Sequence, residues 1–308
     1  MSKKESLPFV IGLGVIIALA LLPMFGAGYY VNLFTIIFYW IGLAGCWNLM
    51  CGYTGYIDFG SAAYTGVGAY VAGVLMVKTG VPLVAAVAAA GFGAALLALV
   101  VGLPTLRLRG AYFAIATFAL AEALMQVTEQ WTSLTGGGIG ITVPQRLDDT
   151  TYYWTYLLLA GVLVGLTKWI EQHKLGYGLK AIRENEEAAA RTGVNTLEVK
   201  LKTYVLTSFF IGLLGALEST RLGYFTPGDV FDVRITVKMI IMSLLGGMGT
   251  VLGPVIGASF LQWLEDVLGA ALLDYYLVII GFIIVMVIMF LPRGIAGSFR
   301  RKGKHEPA

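Results

Sequence analysis

Four apolar runs without a single charge, Pro8 to Gly26, Tyr29 to Met50, Phe59 to Val77 and Val81 to Leu103, fill most of the first 103 residues. Each reaches or approaches the roughly 20 helical residues that cross a hydrocarbon core about 30 Å thick. Such segments belong in lipid. Of all 308 residues, 58% are hydrophobic and 13% charged, with mean hydropathy +0.81, whereas soluble domains are roughly 25% charged. The first run follows Lys3 and Lys4, as a secretory signal would. Its length, and the further spans that follow at once, favour an uncleaved first helix.

Later apolar segments are Ala111 to Val127, Tyr152 to Leu166, Thr203 to Leu217, Met239 to Leu264 and Tyr275 to Leu291. Backbone groups in lipid must pair within their own segment, so all are expected to be helices. Placing the amino terminus inside puts 16 of the 21 basic residues on inward segments, including Arg107, Arg109, Lys168, Lys174, Lys180, Arg183, Arg191, Lys200 and Lys202. The excess of inward lysine and arginine fixes that orientation, with both termini cytoplasmic. Parity then requires an even number of crossings between residues 235 and 272. Gly246-Gly247-Met248-Gly249 and Pro254 supply the break, because glycine loosens a helix and proline removes a backbone donor. The expected fold is an all-α, polytopic membrane protein with eight full spans plus a short or re-entrant hairpin, eight to ten segments in all. Residues 1–7 form a cytoplasmic amino terminus, 8–297 the membrane domain with an inward loop at 172–202, and 298–308 a basic cytoplasmic tail.

That inward loop is the most polar stretch of the chain. Leu179 to Arg191 is rich in helix formers and predicts one helix, with Glu187 and Arg191 paired at i, i+4. Gly193 ends it, and Asn195 with Glu198 three residues on predicts the cap of the next helix. A solvated connector is the plain reading of such a loop. The arrangement Glu187-Ala188-Ala189, three residues, then Gly193 instead resembles the EAA loop of ABC importer permeases.

Wider stretches carry the resemblance further: Gly178 to Asn195, Asn48 to Gly55, Leu108 to Ala114, Ser133 to Gly137, Leu245 to Thr250 and Pro292 to Gly294. Together they resemble the branched-chain amino acid permeases of the LivM type over residues 30 to 297. The resemblance implies an importer in a bacterial or archaeal cell (inner) membrane, built from this chain, a second homologous permease subunit, two cytoplasmic ATPase subunits and an external substrate-binding protein. It implies that Arg183, Glu187, Ala188, Ala189, Arg191 and Gly193 contact the ATPase. The Leu-Pro that follows the glycine in many importers is missing, which fits this subfamily. Branched-chain amino acids are the expected cargo, with urea and short amides as alternatives.

Candidates for the translocation path are Asp58, Ser61, Glu122 and Gln126, because ionisable groups within spans usually face a cavity or a partner. Glu122 and Gln126 predict a polar stripe with Thr117; a structural hydrogen bond is the alternative for Glu122. Tyr56, Asp58 and Ser61 stand where the family more often has Gln, Ser and His. Asp58 could equally start the third helix as a cap. Gly136 to Gly140 lacks the lysine and flanking elements of a phosphate loop. Glu218, Arg221, Asp229, Asp232 and Arg234 are expected in outward loops. Cys46 and Cys51 are packing residues with no histidine nearby, so no metal, no cofactor, no nucleic-acid partner and no enzymatic constellation is expected. A self-sufficient secondary transporter or channel is the competing class.

Overall fold

The computed structural model describes residues 19–25, 28–144 and 147–271, and beyond them Gly281, Met289, Gly294 and Ile295. The predicted amino terminus, most of the first span, most of the span 275–291 and the tail 298–308 lie outside the described residues. Within them the chain is nearly all helix, as backbone in lipid demands. Helices α1 (Gly28–Trp47), α2 (Ser61–Thr79), α3 (Leu83–Thr105), α4 (Ala111–Gln130) and α5 (Asp149–Glu171) come first. Then follow α6 (Lys174–Glu184), α7 (Glu186–Arg191), α8 (Thr196–Leu222), α9 (Val233–Gly246) and α10 (Gly253–Ala271). A π-helical turn, Asn48–Gly52, extends α1. Among the described residues five helices, α1 with this turn, α3, α4, α5 and α8, are long and apolar enough to cross a membrane.

α8 is the central post, packed between α2 and α3. Glycines make the crossing close: a Cβ on Gly68 would stand 2.2 Å from Gly212 O, and one on Gly215 2.3 Å from Thr65 O. Small residues at such contacts let helix backbones approach where no hydrophobic effect drives association. α1 meets α5 through edge-to-face pairs, Phe38 with Tyr153 at 5.4 Å and Tyr39 with Tyr156 at 5.6 Å.

α9 and α10 form an antiparallel hairpin whose tip, residues 247–252, reaches the polar end of the bundle. Gly247 (φ 120°) and Gly249 (φ 76°) make the turn, in backbone conformations open to glycine. At the other end Tyr29, near the start of α1, donates to Asp266 on α10. The break predicted at Gly246–Pro254 is therefore present, although α9 at 14 residues is about 21 Å long, short of a full crossing. A Cβ on Gly294 would lie 2.4 Å from Gly247 N. The chain has thus returned to the hairpin tip by residue 294.

Glu218 and Arg221 depart from expectation. They lie in the last turns of α8 rather than in a loop; Arg221 donates to both carboxylate oxygens of Glu218 (2.9 and 2.7 Å), which also accepts from Tyr156 at 2.9 Å. An ion pair and a phenol satisfied within the protein let the helix run on to Leu222. Asp229 and Asp232 instead begin helices, Asp229 in a capping box with Thr226 and Asp232 accepting from Arg234 N at 2.7 Å.

Candidate coupling site and pathway face

The predicted single helix Leu179–Arg191 is two. Asn185 sits in an extended conformation between α6 and α7, and its side chain accepts from Ala188 N at 3.0 Å. Asparagine competes with the helix for its own backbone donors and so starts a new one. α7 ends as predicted at Gly193 (φ 91°), where Gly193 N bonds Ala190 O and Val194 N bonds Ala189 O, both at 3.1 Å. Asn195 then caps α8, accepting from Glu198 N at 3.2 Å. The outer surface of this element presents Glu187, Ala188, Ala190, Arg191 and Gly193 to solvent, while Ala189 is buried beneath. Beside it a groove of about 940 Å³ runs between the end of α5, α6 and the start of α8, lined by Trp169, Tyr177, Val194, Glu198 and Lys202 among others.

Glu187 does not pair with Arg191. It accepts from Arg109 at 2.9 Å, both side chains exposed. The neighbouring Glu186 makes the deeper tie: Lys200, 2% exposed, donates to Glu186 Oε1 at 2.7 Å, Leu106 O at 2.9 Å and Tyr56 Oη at 3.2 Å. Its ammonium also lies 4.4 Å from the Tyr56 ring centroid. Tyr56 in turn donates to Glu186 Oε2. A buried ammonium is tolerable only with its donors filled, and these are. Burial pushes the Glu186 carboxyl up, but the hydrogen bonds from Lys200 and Tyr56 outweigh it and hold the carboxyl below its ordinary value. Burial first, then the Glu186 contact, raise the Tyr56 phenol, which stays a donor.

Arg183 on α6, exposed along much of its side chain, reaches across and donates to Gly52 O at 2.8 Å. Asn48, wholly buried, accepts from Gly249 N at 2.7 Å and donates to Thr250 O at 2.9 Å. The end of α1, the hairpin tip and α6 thus converge at one point.

The four pathway candidates separate into two places. Asp58 and Ser61 are each 2% exposed; Asp58 accepts from Gly60 N at 2.9 Å and from Ser61 Oγ at 2.7 Å, ahead of α2. They line a closed pocket with Tyr64, Tyr204 and Ser208. Glu122 is half-exposed and Gln126 exposed on α4. Thr117 lies on a different face of α4, buried, accepting from Phe59 N at 3.2 Å, so the predicted stripe is divided. Among the described residues no side chain pairs with Glu122, and its face carries Ile115 and Phe118, 64% and 41% exposed.

Sequence reasoning missed Asn48, Lys200 and Arg109 as site residues. Lys200 was countable as an inward charge, and nothing in its neighbourhood signalled that it folds inward. Cys46 and Cys51 are buried and free, and no metal-holding cluster occurs among the described residues.

The model of the family described as branched-chain amino acid transport system, permease component, matches residues 29–288. The high-affinity branched-chain amino acid transport permease LivM of Escherichia coli is 24% identical over 80% of this chain and 65% of its own length. The probable branched-chain amino acid permease LivM of Methanocaldococcus jannaschii is 26% identical over 80% of this chain and 83% of its own. The ribose import permease RbsC of Bacillus subtilis is 28% identical over 43% of this chain and 43% of its own length. The chain therefore spans about two thirds of the length of its Escherichia coli relative. No solved structure matches. The matched region runs from the start of α1 through the hairpin and takes in α6, α7 and the α4 face; this chain belongs to the permease-component family of branched-chain amino acid transport systems.

Proposed function

We propose that this chain is a permease subunit of an ABC importer for branched-chain or related amino acids, paired with a second homologous permease, driven by two cytoplasmic ATPase subunits and loaded by an external binding protein. The observation that carries the reading is the α7–Gly193 element. Its small, exposed surface at Glu187, Ala188, Arg191 and Gly193 suits a protein partner, while Lys200 and Arg183 fasten its underside to the spans. Ala189 packs inward and Arg183 reaches Gly52, so they serve the coupling element from below. A rigid lever with an open face is what a separate motor needs. Relatives named for ribose and xylose match less of the chain, which supports the amino acid assignment over a sugar.

In this reading both termini are cytoplasmic, the spans number eight beside the hairpin, and the α6–α7 end faces the cytoplasm of a bacterial or archaeal cell. Glu122 and Gln126 face the second permease across the path, because a carboxylate turned to lipid is costly. Asp58 and Ser61 join the path in a conformation in which α2 and α8 part. ATP binding brings the motors together, the coupling helices move, and the spans reorient about the loaded cavity.

The test is reconstitution of the chain with its ATPases and binding protein in proteoliposomes. ATP-dependent, vanadate-sensitive amino acid uptake is expected. Uptake by the purified chain alone on an ion gradient would replace the reading with a secondary transporter.

A further inference from the structure

We infer that Arg183, Asn48 and Gly249 form a rigid joint that delivers movement of the coupling helices to the α9–α10 hairpin, with Arg183 as a positioning residue for transport. The inference deepens the importer reading and rests on it for the transport consequence.

Gly52 O is left over at the end of the π-helical turn. Its helical donor would be Tyr56 N, which bonds Thr54 Oγ1 at 3.2 Å instead. Arg183 Nη1 takes the vacant carbonyl. The hairpin tip has the same difficulty, since residues 247–252 are outside any helix, and Asn48 answers it: one side-chain amide accepts from Gly249 N and donates to Thr250 O. Each of these bonds is part-buried and satisfies a backbone group that lacks a helical partner, so breaking one leaves that group unpaired.

Two glycines permit the convergence. A Cβ on Gly249, already at φ 76°, would lie 2.3 Å from Arg183 Nη1; one on Gly52 would lie 2.2 Å from Asn48 Oδ1 and 2.8 Å from Gly249 N. The Arg183 and Asn48 side chains fill the space between the three segments. Directional bonds also tie other helices, Tyr156 to Glu218 between α5 and α8 and Ser243 to Ala44 O between α9 and α1; Arg183 supplies such a bond from α6 to the end of α1. A second set of polar ties, Lys200 with Glu186 and Leu106 O and Tyr56 with Glu186, holds the coupling element against the spans. Arg183 to Gly52 spans 131 residues and Asn48 to Gly249 spans 201. These connections couple separate parts of the fold, and any displacement of α6 must move the hairpin tip or break them.

Two variants and one distance measurement test this. In the reconstituted complex, Arg183→Gln and Asn48→Asp should each lower uptake per ATP hydrolysed about tenfold. Asn48→Asp keeps the acceptor for Gly249 N and loses the donor to Thr250 O; Arg183→Lys, whose ammonium can still donate to Gly52 O, should recover part of the ratio. Should Arg183→Gln fail to assemble, Asn48→Asp, buried away from the coupling surface, decides the transport arm. Independently of transport, spin labels at Glu184 and Leu252, both exposed, should give one narrow distance distribution that broadens in Arg183→Gln. A wild-type uptake ratio in both variants, or a label distance indifferent to Arg183, would overturn the joint. Failure of the wild-type chain to bind any ATPase would overturn the importer reading and leave the distance result to judge the joint.

Discussion

At the coupling end Lys200, Glu186, Arg183 and Asn48 find their partners inside the chain, whereas Glu122 and Gln126 on α4 find none among the described residues. Both regions place polar groups in an apolar protein, yet only the first is complete as it stands. Internally satisfied charge belongs to the machinery that a subunit carries with it; unsatisfied charge on a membrane helix marks where another molecule or water must come. The contrast can be broken or sharpened by changing one side at a time.

The largest effect is expected from Lys200→Met. Removing one partner of a buried pair strands the other, so the chain should lose about 3–5 kcal/mol of stability in detergent unfolding. A loss under about 1 kcal/mol would put Lys200 with surface pairs and erase the difference between the two regions. On the open side, Glu122→Leu should aid the isolated helix in lipid by up to about 3 kcal/mol, while uptake by the assembled complex falls about tenfold. Unchanged uptake would make the α4 face ordinary lipid-facing surface.

Acid separates the regions more gently. Glu186 has a depressed carboxyl pKa in the folded chain, so the stability it contributes is present above the ordinary value of 4.5 and is lost as pH falls through the lower folded value. The coupling loop should resist proteolysis at neutral pH and become cleavable below that range, and Glu186→Gln should remove the pH dependence. The smallest effect belongs to Arg109→Ala: its pair with Glu187 is exposed on both sides, so the unfolding transition should stay at the wild-type position, and a clear destabilisation would show that this contact also supports the coupling element.

Much of this was legible in the sequence because lipid permits few structures. Long uncharged runs marked the helices, and the Gly246–Pro254 break marked the hairpin. The coupling element was legible in outline from Gly193 and Asn195. Its division at Asn185 was not, since residue propensity favours a continuous helix and the competing cap is a local hydrogen bond. The joint was hidden for another reason. Asn48, Arg183 and Gly249 lie far apart along the chain, and nothing local in an asparagine or an arginine says which distant carbonyl it will reach. Glu122 was found as an intramembrane carboxylate, but the separation of Thr117 from it depended on how α4 rotates against α2.

The central claim is that the α7–Gly193 surface is where a separate ATPase docks. Cys46 and Cys51 are buried, so an Ala188→Cys chain carries one accessible thiol for a short photocrosslinker. In the purified, transporting complex the account predicts an adduct between position 188 and an ATPase subunit. A complex that transports with ATP yet gives no such adduct would contradict it.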